Sequence, residues 1–189
     1  ELPLAAQLAA QASDMGVDAL IVQDLGVVRM LKQVAPDLPL HASTQMSVHS
    51  LDGVKRCADL GFQRVVLSRE LSRDQIEYIC ARSPVEVETF AHGALCMCYS
   101  GQCYFSAVIG ERSGNRGLCA QPCRLKYGWG NKADGYPLSL KDASMVEHLR
   151  ELKKMGVACL KLEGRMKRPE YVAVVTRIYA NAIKETREP

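Results

Sequence analysis

Residues 2–42 read LPLAAQLAAQASDMGVDALIVQDLGVVRMLKQVAPDLPLHA, and their rhythm decides the fold. Leu4, Leu8, Ala12 and Met15 recur at helical spacing, and Gly16 stops that helix. Asp18 to Val22 then reads as a short buried strand. Val27 to Val34 is helical until Pro36, and Leu38 to Ala42 reads as the next strand.

The same alternation runs outward along the chain. Val48 to Leu60 reads as a helix with Gly61 as its stop, and Arg64 to Leu67 as a strand. Ser72 is a good N-cap for a helix to about Arg82, followed by a strand from Val85 to Ala91. After an irregular stretch the rhythm resumes. Leu138 to Leu140 reads as a strand, 144–155 as a helix ending at Gly156, and Ala158 to Leu162 as a strand. A long helix over 169–185 opens on Pro169.

Strands alternating with helices argue for βαβ units and a parallel sheet. The strands read as mostly apolar, as expected for strands covered on both faces. The expected fold class is α/β: a partial (β/α)8 barrel of the TIM type, with about six βα units. Residues 1–189 are expected to form that one domain, with a Cys-rich loop insertion over about 92–136. A doubly wound sheet fits the same periodicity. The chain opens on Glu1 rather than Met and reads as a portion of a longer protein.

Composition bounds the function. The chain is 48% hydrophobic and 24% charged, which excludes wholesale disorder. No apolar run is long enough to span a membrane, and no secretory signal is visible, so a cytoplasmic protein is expected. The net charge of +3 demands no nucleic-acid partner, but the basic residues are clustered. Arg112, Arg116, Arg124, Lys126 and Lys132 share one segment with a single acid, Glu111. Lys161, Arg165, Lys167 and Arg168 share another with Glu163. Clusters of this kind point to an anionic partner.

Polar side chains follow every strand. His41, Arg69, Glu70, His92, Lys141 and Glu163 all stand at the start of their loops. In a barrel these would converge on the C-terminal face, where active sites of that architecture lie.

Five of the eight cysteines fall close together, at 96, 98, 103, 119 and 123. Cys57, Cys80 and Cys159 sit in apolar stretches and read as small buried hydrophobes. The spacing C-x6-C-x15-C-x3-C, from Cys96 through Cys103 and Cys119 to Cys123, can hold tetrahedral zinc or an iron–sulfur cluster. Structural zinc sites usually present two tight pairs, and here only the second pair is tight. The wider spacing and the interspersed glycines suit a cluster, with Cys98 able to replace Cys96.

Two segments carry a family resemblance: Glu88-Thr-Phe-Ala-His-Gly-Ala-Leu-Cys96 with Ser100-Gly-Gln-Cys103, and Asn115-Arg-Gly-Leu-Cys119-Ala-Gln-Pro-Cys123-Arg124. With Leu40–Gln45, Leu67–Leu71, Ser139–Asp142 and Lys161–Lys167, they resemble the U32 peptidase family over essentially the whole chain. The resemblance implies a (β/α)8 barrel and one of two activities. One is collagenase-like proteolysis. The other is hydroxylation without oxygen, prephenate-dependent in some members, acting on tRNA, on ribosomal RNA or on quinone precursors. It also implies a [4Fe–4S] cluster on Cys96, Cys103, Cys119 and Cys123, with Cys159 as an alternative fourth ligand.

Between these activities the residues favour hydroxylation. No GxSxG or HExxH is present, and His41 with Ser43 or His92 with Cys96 are dyads only by sequence spacing. A redox-capable cluster beside basic segments suits RNA, with a small dicarboxylate such as prephenate as co-substrate. The expected catalytic groups are His41, His92 and Glu163. The expected anion-binding groups are Arg69, Arg124, Lys141 and Arg165.

Overall fold

The structure is a computed structural model that describes residues 1–130 and 132–186. Its elements run in the following order: α1 (Leu2–Asp14), β1 (Leu20–Val22), α2 (Leu25–Val34), β2 (Leu40–Ala42), α3 (Leu51–Asp59), β3 (Arg64–Val66), α4 (Arg73–Cys80) and β4 (Glu86–Gly93). The cysteine-rich segment adds α5 (Phe105–Gly110) and a hairpin of β5 (Tyr127–Trp129) and β6 (Lys132–Gly135). The chain then returns through β7 (Ala143–Ser144), α6 (Leu149–Met155), β8 (Cys159–Leu162) and α7 (Pro169–Glu185).

Local chemistry sets the helix starts. The Asp24 carboxylate accepts from the Val27 amide at 2.9 Å, and Ser50 caps α3 through Gly53. Ser72 and Gln75 form a reciprocal capping box on α4. Pro169 lies in the first turn of α7, as the sequence predicts.

The strands β1, β2, β3, β4 and β8 pair in parallel in that order. The order never reverses, so this is an open arc of a barrel and not a doubly wound sheet. Leu20, Val22, Leu40, Ala42, Val65 and Val87 face the helices. There they pack with Val28, Leu31, Val54 and Ile79 in one core. Fully burying each Val, Leu or Ile side chain of this core contributes about 1.5–3 kcal/mol of transfer free energy. A second, smaller core joins Ala91, Leu149, Leu160, Leu162 and Tyr179.

The expected strand at 138–140 is absent, so among the described residues five strands are parallel rather than six. Arg124 takes the Ser139 hydroxyl and the Leu140 carbonyl, which ties that segment to the cysteine loop. The strand forms later, at β7, and runs antiparallel to the end of β4.

The strands read as mostly apolar, but their inner face is polar. The inner face of the arc carries His41, Arg64 and Glu86 in register across β2, β3 and β4, with Glu88 on β4 and Lys161 on β8 in the successive layers above. The strands β1, β2, β3 and β8, of three or four residues, are too short to display their period-2 alternation in the sequence, whereas β4, with eight, does display it. Cys57 is buried, as expected, but Cys159 stands on this polar face beside Glu88.

His41 is half-buried mid-strand. Its pKa lies below the ordinary 6.5, first because burial disfavours the charged ring and then because Arg64 repels it. The unfolded chain therefore binds this proton more readily than the fold does. The stability from a neutral His41 is complete above about pH 6.5 and is lost as pH falls through that value toward the folded pKa. His41→Gln is expected to flatten this loss, read as a smaller drop in Tm between about pH 7.5 and 5 than the wild type shows.

Candidate functional site

The cysteine loop is fastened to the C-terminal ends of β2 and β3. Ser100, which is 2% exposed, is the rivet. Its amide and hydroxyl donate to the Glu70 carboxylate, the hydroxyl at 2.9 Å, and its Oγ accepts from the Arg69 amide at 3.0 Å. Its carbonyl accepts from the Ser47 hydroxyl at 2.7 Å. Gly101 then passes so close that a Cβ would lie 2.4 Å from the Gln45 carbonyl oxygen, at φ +76°. Gly101→Ala is expected to cost about 1–3 kcal/mol from the strained φ alone and to lift the loop. A lower urea midpoint, with faster proteolysis within 94–125, is the readout.

The rivet brings Cys96, Cys103, Cys119 and Cys123 to the wall of one cavity of about 110 Å³, together with Cys98. Cys159 is not on that wall. Burial pushes the Cys96, Cys98 and Cys123 thiols up. Neighbouring cysteines push the same way, Cys119 on Cys96 and Cys123, and Cys103 on Cys98. The Arg69 guanidinium opposes this at Cys96, donating to its Sγ at 3.4 Å. The Gln121 amide donates to the Cys119 Sγ at 3.3 Å. Among the described residues no three His, Cys, Asp or Glu side chains stand as a single-ion site.

Arg69 is the hub. Its side chain is 11% exposed, and its Nη2 pairs with the Glu163 carboxylate at 2.8 Å. Its guanidinium lies 3.8 Å over the Phe90 ring. Its Nε is buried without a hydrogen-bond partner among the described residues. Glu163 is brought in by β8, where its amide donates to the His92 carbonyl at 2.8 Å. Gly93 permits the approach, since a Cβ there would lie 2.6 Å from the Glu163 carbonyl oxygen.

A second cavity of about 560 Å³ lies at the barrel mouth. Gln45, Arg69, Asn115, Glu163 and Arg165 line both cavities and form their common wall. The larger cavity adds Arg116, Lys161 and Phe90. Glu163 is its one carboxylate among the described residues. Its size lies within the ordinary range for a small-ligand site.

The expected ring of strand-end residues is therefore only partly assembled. Arg69, Glu163 and Arg165 meet, with Arg165 also donating to the Gly117 carbonyl at 2.6 Å. His41 lies deeper, on the inner face, and lines neither cavity. His92 is turned away, because a β-bulge between Phe90 and His92 moves it to the helix-facing side. There its Nε2 meets the Tyr171 hydroxyl at 2.9 Å and its Nδ1 the Tyr179 hydroxyl at 3.4 Å. Lys141 is exposed outside both cavities. Arg124 borders the cysteine cavity, but its guanidinium is engaged by the Leu95 carbonyl at 3.0 Å, by Ser139, by Leu140 and by Asp142. It works as a clamp in this arrangement.

The sequence places Gln45 among the polar residues that follow the strand at Leu40, but it does not single out Phe90 or Asn115 as site residues, although Asn115 belongs to a motif quoted above. Alternation along β4 was the available signal for Phe90, which shares the inner face with Glu86 and Glu88.

An α/β arc with a cysteine cavity at its mouth defines the class. The model of Peptidase family U32 matches residues 1–189, and the chain belongs to that family. It is 42% identical over 185 residues to the 23S rRNA 5-hydroxycytidine C2501 synthase of Escherichia coli (strain K12), covering 95% of this chain and 28% of that protein. It is 35% identical over 182 residues to the tRNA hydroxylation protein P1 of Bacillus subtilis (strain 168), covering 90% and 43%. It is also 35% identical over 190 residues to a collagenase of Porphyromonas gingivalis (strain ATCC BAA-308 / W83), covering 89% and 44%. The chain thus spans less than half the length of each of these relatives. Among the described residues no helix is long and apolar enough to cross a membrane.

Proposed function

We propose that this domain carries the chemistry of an RNA-hydroxylating enzyme that adds oxygen to C5 of a pyrimidine base, in the cytoplasm. The observation that carries the reading is the shared wall: a four-cysteine cavity and a basic cavity of ligand size meet through Arg69, Glu163 and Arg165. The similarity to rRNA and tRNA hydroxylation proteins supports the choice of RNA.

The four cysteines fit a [4Fe–4S] cluster better than a single zinc ion. They line one cavity together, and their C-x6-C-x15-C-x3-C spacing, with only one tight pair, suits a cluster rather than a structural zinc site. Burial and neighbouring cysteines push the Cys96 and Cys123 thiols up, with Arg69 and Arg124 opposing, and a bound cationic centre would hold these thiols as thiolates. Cys96, Cys103, Cys119 and Cys123 would hold the cluster, and when bound it supplies redox or Lewis-acid chemistry.

The protein's own groups do the rest. The larger cavity admits an unstacked base from a single-stranded loop. Arg116 and Arg165 at that cavity bind anionic oxygens, of the RNA backbone or of a dicarboxylate co-substrate such as prephenate. Arg69 holds the Glu163 carboxylate in the common wall, where Glu163 can accept a proton from the ligand. The His92–Cys96 dyad is not formed. His92 contacts Tyr171 and Tyr179, and the Cys96 thiol accepts from Arg69.

Mass spectrometry of total RNA nucleosides from a deletion strain tests this. Loss of a 5-hydroxypyrimidine nucleoside, restored by the full natural gene, is the expected result. An unchanged nucleoside profile, with peptide cleavage by protein free of iron, gives the case to the peptidase reading.

A further inference from the structure

The inner face of the arc holds a charged layer that the reading above does not use. Glu88 is 4% exposed. Its Oε1 accepts from the Lys161 ammonium at 2.9 Å, and its Oε2 lies 3.6 Å from the Arg64 guanidinium. Arg64 is itself spent chiefly on Glu86, at 2.7 Å. Lys161 is thus the close partner of the buried carboxylate.

The register explains the stacking. Glu88 pairs with Cys159 and Phe90 with Lys161, so Lys161 stands one inward layer above Glu88. That layer is the floor of the barrel-mouth cavity, which Lys161 lines with Phe90 and Arg69. The Lys161 side chain is 31% exposed, against 5% for Glu88. The Lys161 Nζ lies 6.0 Å from the Phe90 ring centroid, with Arg69 also over that ring.

Barrel interiors are ordinarily filled by branched apolar side chains. A buried ion pair is a costly filling, and apolar replacements are often neutral or stabilising. The pair does have one property that an apolar filling lacks. It fixes an ammonium at a set depth below the cavity. Of the three ammonium N–H donors one serves Glu88, which leaves two for an acceptor on the cavity side.

We propose that Lys161 is the deep oxyanion anchor of the barrel-mouth cavity and that buried Glu88 positions it. The ligand group is a carboxylate or phosphate oxygen on a small molecule or a nucleotide. The inference rests on that cavity being the substrate cavity of the RNA-hydroxylation reading.

The test is calorimetric titration of the full natural protein with malonate and, separately, with inorganic phosphate at fixed ionic strength. Lys161→Met is expected to weaken the preferred probe about 10-fold or more, a typical loss for a hydrogen bond to a charged group. Lys161→Arg is expected to retain part of that affinity. Glu88→Gln is expected to weaken the wild type several-fold but to have no further effect in the Lys161→Met background, since it acts through Lys161. Tighter malonate binding assigns the site to a carboxylate, and tighter phosphate binding assigns it to a phosphate.

The proposal is overturned if the wild type binds neither probe at millimolar concentration, or if Lys161→Met binds as the wild type does. It is also overturned if Glu88→Gln weakens binding equally in both backgrounds. If Glu88→Gln does not fold, Glu88→Asp takes its place. An unchanged nucleoside profile in the deletion strain defeats the RNA reading and leaves the calorimetry to decide Lys161.

Discussion

Cys119→Ala is expected to leave the anaerobically purified full-length protein colourless and to abolish modification of its RNA in cells. The wild type is expected to be brown, with iron and sulfide at about four each per chain, the stoichiometry of a cubane. Cys96→Ala, Cys103→Ala and Cys123→Ala should bleach it in the same way, because all four thiols line one cavity. Cys57→Ala and Cys80→Ala should keep their colour, since both side chains belong to the helix-facing core. Cys159→Ala should keep it too, since Cys159 stands beside Glu88 and away from that cavity. Stoichiometric zinc without iron in the wild type would sink the cluster. Colour that survives Cys96→Ala but not Cys98→Ala would exchange those two ligands.

Much of this arrangement is legible in the sequence. The βα rhythm placed each parallel strand within a few residues, and 169–185 is the helix Pro169–Glu185. Apolar spacing carries such information because both periods arise from burial against one sheet face. The gathering of Cys96, Cys103, Cys119 and Cys123 at one cavity is legible as well, because residues this close in sequence stay close in the fold. What was not legible is direction. His92 reads as a strand-end group, but one bulged residue turns it toward Tyr171 and Tyr179. His41 reads as a rim residue, yet it sits within β2 and faces Arg64 across the inner face. Arg124 reads as an anion binder, but its fork finds carbonyl oxygens more than ten residues away in sequence on either side. Pairings at that range leave no periodic trace. The hairpin of β5 and β6 and the short α5 were hidden likewise, within a segment too rich in glycine and cysteine to show a period.

Arg69→Met is expected to damage folding and chemistry together, and the proportions reveal what Arg69 does. Arg69 joins four things at one point: the Ser100 rivet through its amide, the Cys96 thiol, the Glu163 carboxylate and the Phe90 ring. The amide survives substitution, so the cysteine loop should stay docked through Ser100 and Glu70. The guanidinium does not survive, and Glu163, at 26% exposed, is left without its close cation. Stranding one partner of a buried pair costs about 3–5 kcal/mol, and the remaining exposure of Glu163 places this case at or below the lower end. Arg69→Lys keeps the charge but not the fork that reaches Cys96 and Glu163 at once, so it should rescue stability more than activity. Modified-nucleoside yield is expected to fall at least about 100-fold in Arg69→Met, as for loss of a preorganised charged group at a reacting centre. Glu163→Gln separates the two effects. It removes the proton acceptor while keeping a hydrogen-bonding partner for Arg69, so Tm should change little while the yield collapses. A Glu163→Gln protein that modifies RNA normally would reduce the Arg69–Glu163 pair to a structural strut between the two cavities.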